Sequence, residues 1–268
     1  MNLQNIPILV TPLLRWSTVR LSLSDSLLKA LLLGGIVMGS SITSHAAIAL
    51  DRTRVVFDGD RKSVSLNVSN ENKQLPYLAQ GWIENEAEEK IQSPFTVLPP
   101  VQRIEPGKPS QIKIQSLPVI NTLPQDKESL YYFNLREIPP KGDKQNTLQI
   151  ALQSRIKLFY RPKGLAIDTN APPPQDKITL TKQGETYLVN NPTPYYITFV
   201  DASRQKSMEG VKDFEPFMVA PKSSMPLTVS VSAIGNAPVL TYVNDYGGRP
   251  QLSFHCSSNT CTVVPDKN

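Results

Sequence analysis

The residues that could carry redox, metal or nucleophilic chemistry are few and lie together near the C-terminus. The sequence of 268 residues contains two cysteines, Cys256 and Cys261, and two histidines, one of which is His255. Because the chain is predicted to be exported, two thiols five positions apart favour a small disulfide across a terminal hairpin. A metal site is disfavoured because no third thiol is available, so we expect no metal and no cofactor.

Catalytic arrangements are equally scarce. A Ser-His-Asp or Cys-His arrangement would have to use His255, beside a cysteine that is predicted to be oxidised. Gly247 and Gly248 lie in a predicted turn that lacks the strand-to-helix context of a phosphate-binding loop. One acidic run is interpreted as a solvated loop: Glu84, Glu86, Glu88 and Glu89. The sequence therefore predicts a protein that is not an enzyme, and an extracytoplasmic hydrolase remains a third alternative.

Residues 1–46 have the pattern of a Sec-type signal peptide. Arg15, Arg20 and Lys29 bring positive charge, and Ser44-His45-Ala46 offers small residues before a cleavage site after Ala46. The apolar run 30–38 is shorter than the about 20 residues that span a membrane, and an uncleaved anchor is the alternative. Without residues 1–46 the net charge falls from +5 to +3. No basic cluster is interleaved with aromatic residues, so we expect no nucleic-acid partner.

From Ala47 onward the sequence predicts strand after strand and shows no convincing helical period. Residues 62–68 alternate between polar and apolar side chains, as a half-buried strand does. Other strands are predicted over residues 50–57, 77–84, 110–117 and 129–138, before the long stretch 146–161. About seven strands spaced by roughly 10 to 15 residues are typical of an immunoglobulin-like sandwich.

The proline-rich residues 162–174 are interpreted as a linker between two domains. Shorter strands are predicted beyond it, over residues 178–180, 187–189, 195–200, 217–219, 227–231, 239–243, 251–254 and 262–264. The mature length suits one large β domain or two domains of about 110 residues. We predict an all-β protein with two immunoglobulin-like domains, residues 47–161 and 175–268.

The stretch Asn146–Arg161 contains neither glycine nor proline. Leu148, Ile150, Leu152 and Ile156 fall at spacing two, so one pleated face is aliphatic. At about 3.3 Å per residue, the stretch would run roughly 50 Å as one strand, much longer than usual. Such a strand either lies in the core of a sandwich, which the spacing alone favours, or offers a sheet edge to a partner's backbone.

Several segments resemble the periplasmic pilus-assembly chaperones, and the clearest is Leu123–Pro139, which contains Leu-Tyr-Tyr-Phe-Asn-Leu-Arg-Glu-Ile-Pro. Four further segments match the family in order along the mature chain: Leu50–Arg54, Ile156–Pro162, Asn191–Tyr196 and Asn244–Pro250. The chain looks most like the P-pilus type. The loop between the last two strands of the N-terminal domain is short and lacks cysteines, which resembles the short-loop branch associated with rod-like pili.

The resemblance implies two immunoglobulin-like domains set at an angle with a cleft between them. A pilin subunit is an immunoglobulin fold that lacks its last strand, and these chaperones lend their last first-domain strand to fill the groove. Here the match falls on residues 146–157, so the inserted side chains would be Leu148, Ile150 and Leu152.

The resemblance also implies a basic anchor in the cleft. Arg54 and Lys157 would hold the C-terminal carboxylate of the subunit, and Thr53 would assist. Without the resemblance, Lys157 would be interpreted as a solvated strand charge. A trio that bridges the two domains in the family matches Glu128, Arg161 and Asp245, the alternative being three unrelated surface charges.

The implied function is a periplasmic chaperone that binds and caps pilin subunits by donor-strand complementation and delivers them to an outer-membrane usher. No cofactor, nucleic acid or membrane insertion is expected. A secreted two-domain adhesin or carbohydrate-binding module is the alternative from a different class, and it would require exposed aromatic residues on loops. The sequence leaves open the identity of the subunits and usher, the translation start, and whether the free protein caps itself as a homodimer.

Overall fold

The computed structural model of the chain describes residues 47–142 and 148–265. The predicted signal peptide lies outside the described residues. The described part is nearly all β-structure and forms two domains, as the sequence predicts. Within it, no helix is long and apolar enough to cross a membrane.

The N-terminal domain is built from strands that lie before the proline-rich segment. They are β1 (Ile48–Leu50), β2 (Arg54–Asp58), β3 (Ser63–Asn70), β4 (Tyr77–Glu84), β5 (Lys90–Ile91), β6 (Phe95–Leu98), β7 (Val101–Ile104), β8 (Pro109–Ser116), β9 (Ser129–Ile138) and β10 (Gln153–Arg161). One sheet has the order β1-β3-β8-β6, and the other has the order β2-β10-β9-β4-β5 with β7 also paired to β4. A single cluster of buried apolar side chains draws on both sheets, including Leu66, Ile112, Ile114, Phe133 and Leu158.

Alternation of apolar residues explains why these strands form one buried face. In the antiparallel pair of β3 and β8, Leu66 lies opposite Ile112 and Val64 lies opposite Ile114. Leu66 and both isoleucines are fully buried, while the intervening residues Ser65 and Lys113 point the other way. The predicted strands 77–84 and 129–138 coincide with β4 and β9.

The prediction of one strand over residues 50–57 is wrong, because the chain changes sheets there. β1 pairs with β3, whereas β2 pairs with β10 in the opposite sheet. The backbone N–H of Asp51 still donates to the carbonyl of Asn67 at 3.1 Å, and its carboxylate accepts from the Asn67 side chain at 3.1 Å. These bonds end β1, and Arg54 becomes the first residue of β2.

The prediction of a continuous strand from Asn146 to Arg161 is also wrong, because β10 begins only at Gln153. Residues 148–152 form no strand, and residues 143–147 lie outside the described part. The reason is the end of the neighbouring strand. β9 stops at Ile138, and Pro139 and Pro140 have no N–H to donate to a ladder. Among the described residues, the last backbone–backbone hydrogen bond between these segments runs from the Glu137 N–H to the Leu152 carbonyl at 3.0 Å.

The C-terminal domain contains the remaining strands and a short helix. They are β11 (Thr179–Gln183), β12 (Thr186–Asn191), β13 (Ile197–Ser203), β14 (Phe217–Val219), β15 (Ser223–Ser230), α1 (Val231–Ile234), β16 (Val239–Val243), β17 (Gln251–Ser257) and β18 (Thr260–Val264). Hydrogen bonds join the strands in the order β14-β13-β16-β17-β18-β11-β12-β15. One apolar core, including Leu180, Tyr187, Phe199, Leu240 and Phe254, draws on nearly all of them.

The structure differs from the sequence-based predictions at two places after residue 161. The predicted strand 227–231 ends one residue earlier, because the Ser230 hydroxyl accepts from the Ala233 N–H and caps α1. The predicted linker 162–174 contains a 3-10 turn over Lys163–Leu165, and another turn begins at its last residue, Pro174–Lys177. The Tyr195 hydroxyl donates to the Leu165 carbonyl at 2.9 Å, which ties the first turn to the C-terminal domain.

Candidate functional site

Arg54 and Lys157 are brought together by the parallel pairing of β2 with β10. In that register, Lys157 lies directly opposite Arg54, and the ladder continues to Arg161 opposite Asp58. The two cations come from opposite ends of the N-terminal domain, and the change of sheets after Asp51 is what delivers Arg54 to this position. Thr53, which precedes it, is exposed, and its hydroxyl lies close to Gly247 of the C-terminal domain.

The guanidinium of Arg54 is half-buried and only partly satisfied. Its Nη1 donates to the carbonyl of Val243 at 3.0 Å, and its Cζ lies 6.0 Å from the centre of the Phe159 ring. Its Nε is buried and has no hydrogen-bond partner in the described part of the chain. Burial lowers the pKa of Arg54, and the charges of Asp245 and Glu128 offset part of that effect. A buried donor without a partner is costly, so Arg54 is prepared to accept an additional ligand.

Lys157 is half-buried beside Arg54, and its ammonium group makes one long hydrogen bond to a described residue. Its Nζ donates to the Thr198 hydroxyl at 3.5 Å. Burial lowers the pKa of Lys157, and the positive charge of Arg54 lowers it further. Among the described residues, neither cation forms a salt bridge with a carboxylate. Two neighbouring cations without a counter-charge form a site at which an anion would be stabilised by both.

The segment immediately before β10 places aliphatic side chains in solvent. Leu148 is 83% exposed, Ile150 is 65% exposed and Leu152 is 41% exposed. Three large aliphatic side chains at spacing two with this exposure are unusual on a protein surface unless they meet a partner. The ladder between β2 and β10 begins only at Lys157, so no described strand pairs with residues 148–156 on the side of β2.

The structure brings Glu128, Arg161 and Asp245 into direct contact. The Arg161 Nε donates to Glu128 Oε1 at 2.9 Å, and its two terminal nitrogens donate to the Asp245 carboxylate at 2.7 and 3.1 Å. Arg161 and Glu128 are buried. The second oxygen of Glu128 accepts from the backbone N–H of Tyr196 at 2.8 Å. Residues of both domains therefore meet at one guanidinium.

The electrostatics of this trio follow from its burial. Burial raises the pKa of Glu128 to about 7, against the opposing effects of the Arg161 charge and the Tyr196 amide. Burial acts to lower the pKa of Arg161, but its bonds to Asp245 and the charge of Glu128 outweigh that effect and raise it. Arg161 therefore stays charged, and removing it would leave a carboxylate buried without a cation.

Further contacts between the domains carried no signal in the sequence. Lys222 pairs with Asp126 at 2.7 Å on the surface, and the rings of Phe159 and Tyr196 lie 5.7 Å apart. Their residue types are ordinary for surface loops and strands, and only the folded chain places them together. Tyr196 was placed by the sequence in the predicted strand 195–200 and in the Asn191–Tyr196 segment that matches the family, and the structure adds its contact with Phe159.

The predicted disulfide between Cys256 and Cys261 is confirmed. It joins paired residues of β17 and β18, with a Cα–Cα distance of 3.8 Å. His255 is exposed beside it. In the described part of the chain, no three residues among His, Cys, Asp and Glu are grouped as a metal site would require.

The fold and the site define a protein of two immunoglobulin-like domains, with exposed aliphatic side chains before β10 and two neighbouring cations that no described carboxylate neutralises. Residues 47–166 match the family described as "Pili and flagellar-assembly chaperone, PapD N-terminal domain". Residues 173–254 match "Pili assembly chaperone PapD, C-terminal domain". The chain belongs to the pilus-assembly chaperone family, and the resemblance stated from the sequence is confirmed.

Particular relatives cover nearly the whole chain. It is 49% identical over 246 residues to the probable fimbrial chaperone YfcS of Escherichia coli K12. The aligned residues cover 92% of this chain and 97% of the relative. It is also 49% identical over 240 residues to the chaperone protein PapD of Escherichia coli, and this match covers 89% of this chain and 99% of PapD. The crystal structure of the periplasmic chaperone SfaE is similar, with 32% sequence identity and a TM-score of 0.62. The match covers 77% of this chain and 98% of the SfaE chain.

Proposed function

We propose that this protein is a periplasmic chaperone that captures pilin subunits by donor-strand complementation and delivers them to an outer-membrane usher. The observation that carries the proposal is the exposed series Leu148, Ile150 and Leu152 beside a free backbone edge. An incomplete immunoglobulin fold needs both features, because its open edge lacks hydrogen-bond partners and its groove lacks alternate side chains. The named relatives are fimbrial chaperones, which supports the same role.

The proposal assigns residues 148–156 as the donor segment. Within residues 47–142 and 148–265, no strand pairs with residues 148–152, so they would complete a strand only when the subunit supplies its backbone edge. The three aliphatic side chains would then enter the groove and lose their contact with water. Burial of each such side chain is worth roughly 1.5–3 kcal/mol, and part of that energy is spent on ordering the segment.

Arg54 and Lys157 supply the register of this pairing in the proposal. The C-terminal carboxylate of the subunit would lie between the two cations, with Thr53 close enough to assist. A chain end can occupy only one place along a strand, whereas an aliphatic series would tolerate a slip by two residues. The carboxylate would also neutralise the repulsion between the two cations.

Copurification from the periplasm tests the proposal. A tagged chain expressed in its own host should carry a pilin subunit that is identified by mass spectrometry, and that subunit should be degraded when the chaperone gene is deleted. Recovery of the well-folded protein without a pilin, and normal subunit survival in its absence, would contradict the proposed function.

A further inference from the structure

Glu137 is a buried acidic residue that the proposed capture of subunits does not use. It lies on β9 and is only 5% exposed. Its Oε2 accepts a hydrogen bond from the backbone nitrogen of Ile48 at 2.8 Å. Among the described residues it forms no ion pair. Burying a carboxylate costs free energy unless a cation and further hydrogen bonds compensate it. A cation beside Glu137 would therefore stabilise the fold.

The residue before Ile48 is fixed next to this carboxylate. Ala47 is buried, and its carbonyl accepts from the Glu71 N–H at 2.7 Å. Ile48 pairs with Asn70 in the ladder between β1 and β3. The nitrogens of two consecutive residues are separated by only three covalent bonds. Because the Ile48 nitrogen lies 2.8 Å from Glu137 Oε2, the Ala47 nitrogen lies at most about 7 Å from the same oxygen.

We propose that Glu137 is the binding site for the α-ammonium group that signal-peptide cleavage creates at Ala47. Before cleavage, the Ala47 nitrogen is a neutral amide with one hydrogen. Hydrolysis of the Ala46–Ala47 bond adds the hydroxyl of water to the Ala46 carbonyl and a hydrogen to the Ala47 nitrogen. The new amine takes up a further proton at neutral pH, because the pKa of an α-amino group is about 7.7–8.0. Cleavage thus supplies the missing cation at the position where the carboxylate lies.

The ion pair would couple maturation to the stability of the N-terminal domain. β1 belongs to one sheet and β9 to the other, so the pair joins the two sheets at the chain end. The N–H of Glu137 also donates to the carbonyl of Leu152, at the root of the exposed segment 148–152. The inference rests on the proposed export and on the cleavage site after Ala46. It does not depend on donor-strand capture, so the two can fail separately.

The first test is an NMR titration of the α-amino group in the mature chain that begins at Ala47. An opposite charge within hydrogen-bond distance should raise its pKa by about 1 to 3 units. In Glu137→Gln the pKa should return to the ordinary range. In Glu71→Gln it should stay raised, because the Glu71 carboxylate is exposed and accepts from the Ser69 hydroxyl instead. An α-amino pKa that is the same in wild type and in Glu137→Gln overturns the proposal.

A second test does not require the Glu137 variant to fold. A mature chain with one extra glycine before Ala47 moves the ammonium away from Glu137. Its melting temperature should fall by roughly 3–10 °C, and its α-amino pKa should be ordinary. If Glu137→Gln also folds, the extra glycine should have no further effect in that background. The proposal is overturned if the chain with the extra glycine has the same melting temperature as the chain that begins at Ala47.

Discussion

Lys157 lies directly opposite Arg54 in the parallel ladder between β10 and β2, and no carboxylate of the described chain pairs with either residue. Like charges in register repel each other, and such an arrangement persists when an anion is meant to lie between them. The burial of both side chains adds to the cost, since it lowers the pKa of each.

Arg161→Ala should strongly destabilise the protein, because it leaves Glu128 buried without a cation. Removal of one partner from a buried pair typically costs about 3–5 kcal/mol. Lys222→Ala is the matched control, since it breaks the exposed pair with Asp126, which is worth at most about 1 kcal/mol. Urea denaturation of both variants at pH 7 measures the difference. Equal and small changes would show that the trio is only a surface contact.

The effect of Arg161→Ala should also grow as the pH rises from 5 to 8. Burial raises the pKa of Glu128 to about 7 in the presence of Arg161, and losing that charge should raise it further. A carboxyl group with a raised pKa in the folded state stabilises the fold when protonated, and this stability is lost as the pH rises through the folded pKa. The unfolding free energy of Arg161→Ala should therefore fall more between pH 5 and pH 8 than that of Lys222→Ala. A parallel pH dependence in the two variants would contradict this account.

Sequence patterns were sufficient where an apolar-rich run is bounded by clear breaks. β4 and β9 were predicted with their observed ends, because each is such a run and prolines or polar residues flank it. β5, β6 and β7 were missed, because they are short and lie among Pro94, Pro99 and Pro100. Alternation in Leu148, Ile150 and Leu152 predicted a shared aliphatic face, which stays a prediction because residues 148–152 form no strand. It could not show that the adjacent strand ends at Ile138 and leaves these residues without a partner.

Contacts between distant residues were the part that sequence reasoning from patterns alone could not supply. Nothing in the residues around Ile48 indicates that its N–H binds Glu137. The trio at Arg161 was predicted only through the family resemblance, since charge patterning alone would have left three surface residues. The disulfide could be predicted without any relative, because the chain offers two cysteines close together in sequence.

Loss of the disulfide should cost about 2 kcal/mol of unfolding free energy, because the bridge closes a short loop and limits the entropy of the unfolded chain only modestly. The measurement compares urea denaturation of the oxidised protein with that of Cys256→Ser/Cys261→Ser. Thiol labelling of the denatured, unreduced protein is the control and should detect no free thiol. Two labelled cysteines in the mature protein would contradict the structure at this hairpin.

Ile150→Glu should abolish subunit capture while the free chaperone folds normally. The side chain is exposed in the free chain, so the carboxylate costs little there, but it would enter an apolar groove in the complex. We expect at least about a 30-fold loss of affinity, equivalent to roughly 2 kcal/mol. Ala151→Glu is the matched control, because it adds the same charge one residue away on the opposite face. Equal affinities of the two variants for the copurified subunit would show that this face does not enter the groove.

The most direct test of the account is the coupling between the two cations and the chain end of the subunit. Arg54→Ala and Lys157→Ala are compared with Arg52→Ala and Arg103→Ala, whose side chains pair with Asp51 and Glu105. The binding partners are the copurified subunit and the same subunit with its C-terminal carboxylate amidated. Melting temperatures of the free variants are measured in parallel.

Each cation removed should weaken binding of the natural subunit by roughly 30- to 5,000-fold, or about 2–5 kcal/mol, with unchanged or slightly higher melting temperatures. Amidation should weaken binding to the wild-type chaperone to a similar extent and should have little further effect on Arg54→Ala or Lys157→Ala. The two control variants should bind like wild type. Full affinity of Arg54→Ala and Lys157→Ala for the natural subunit would contradict the anchor, and the groove alone would then set the register.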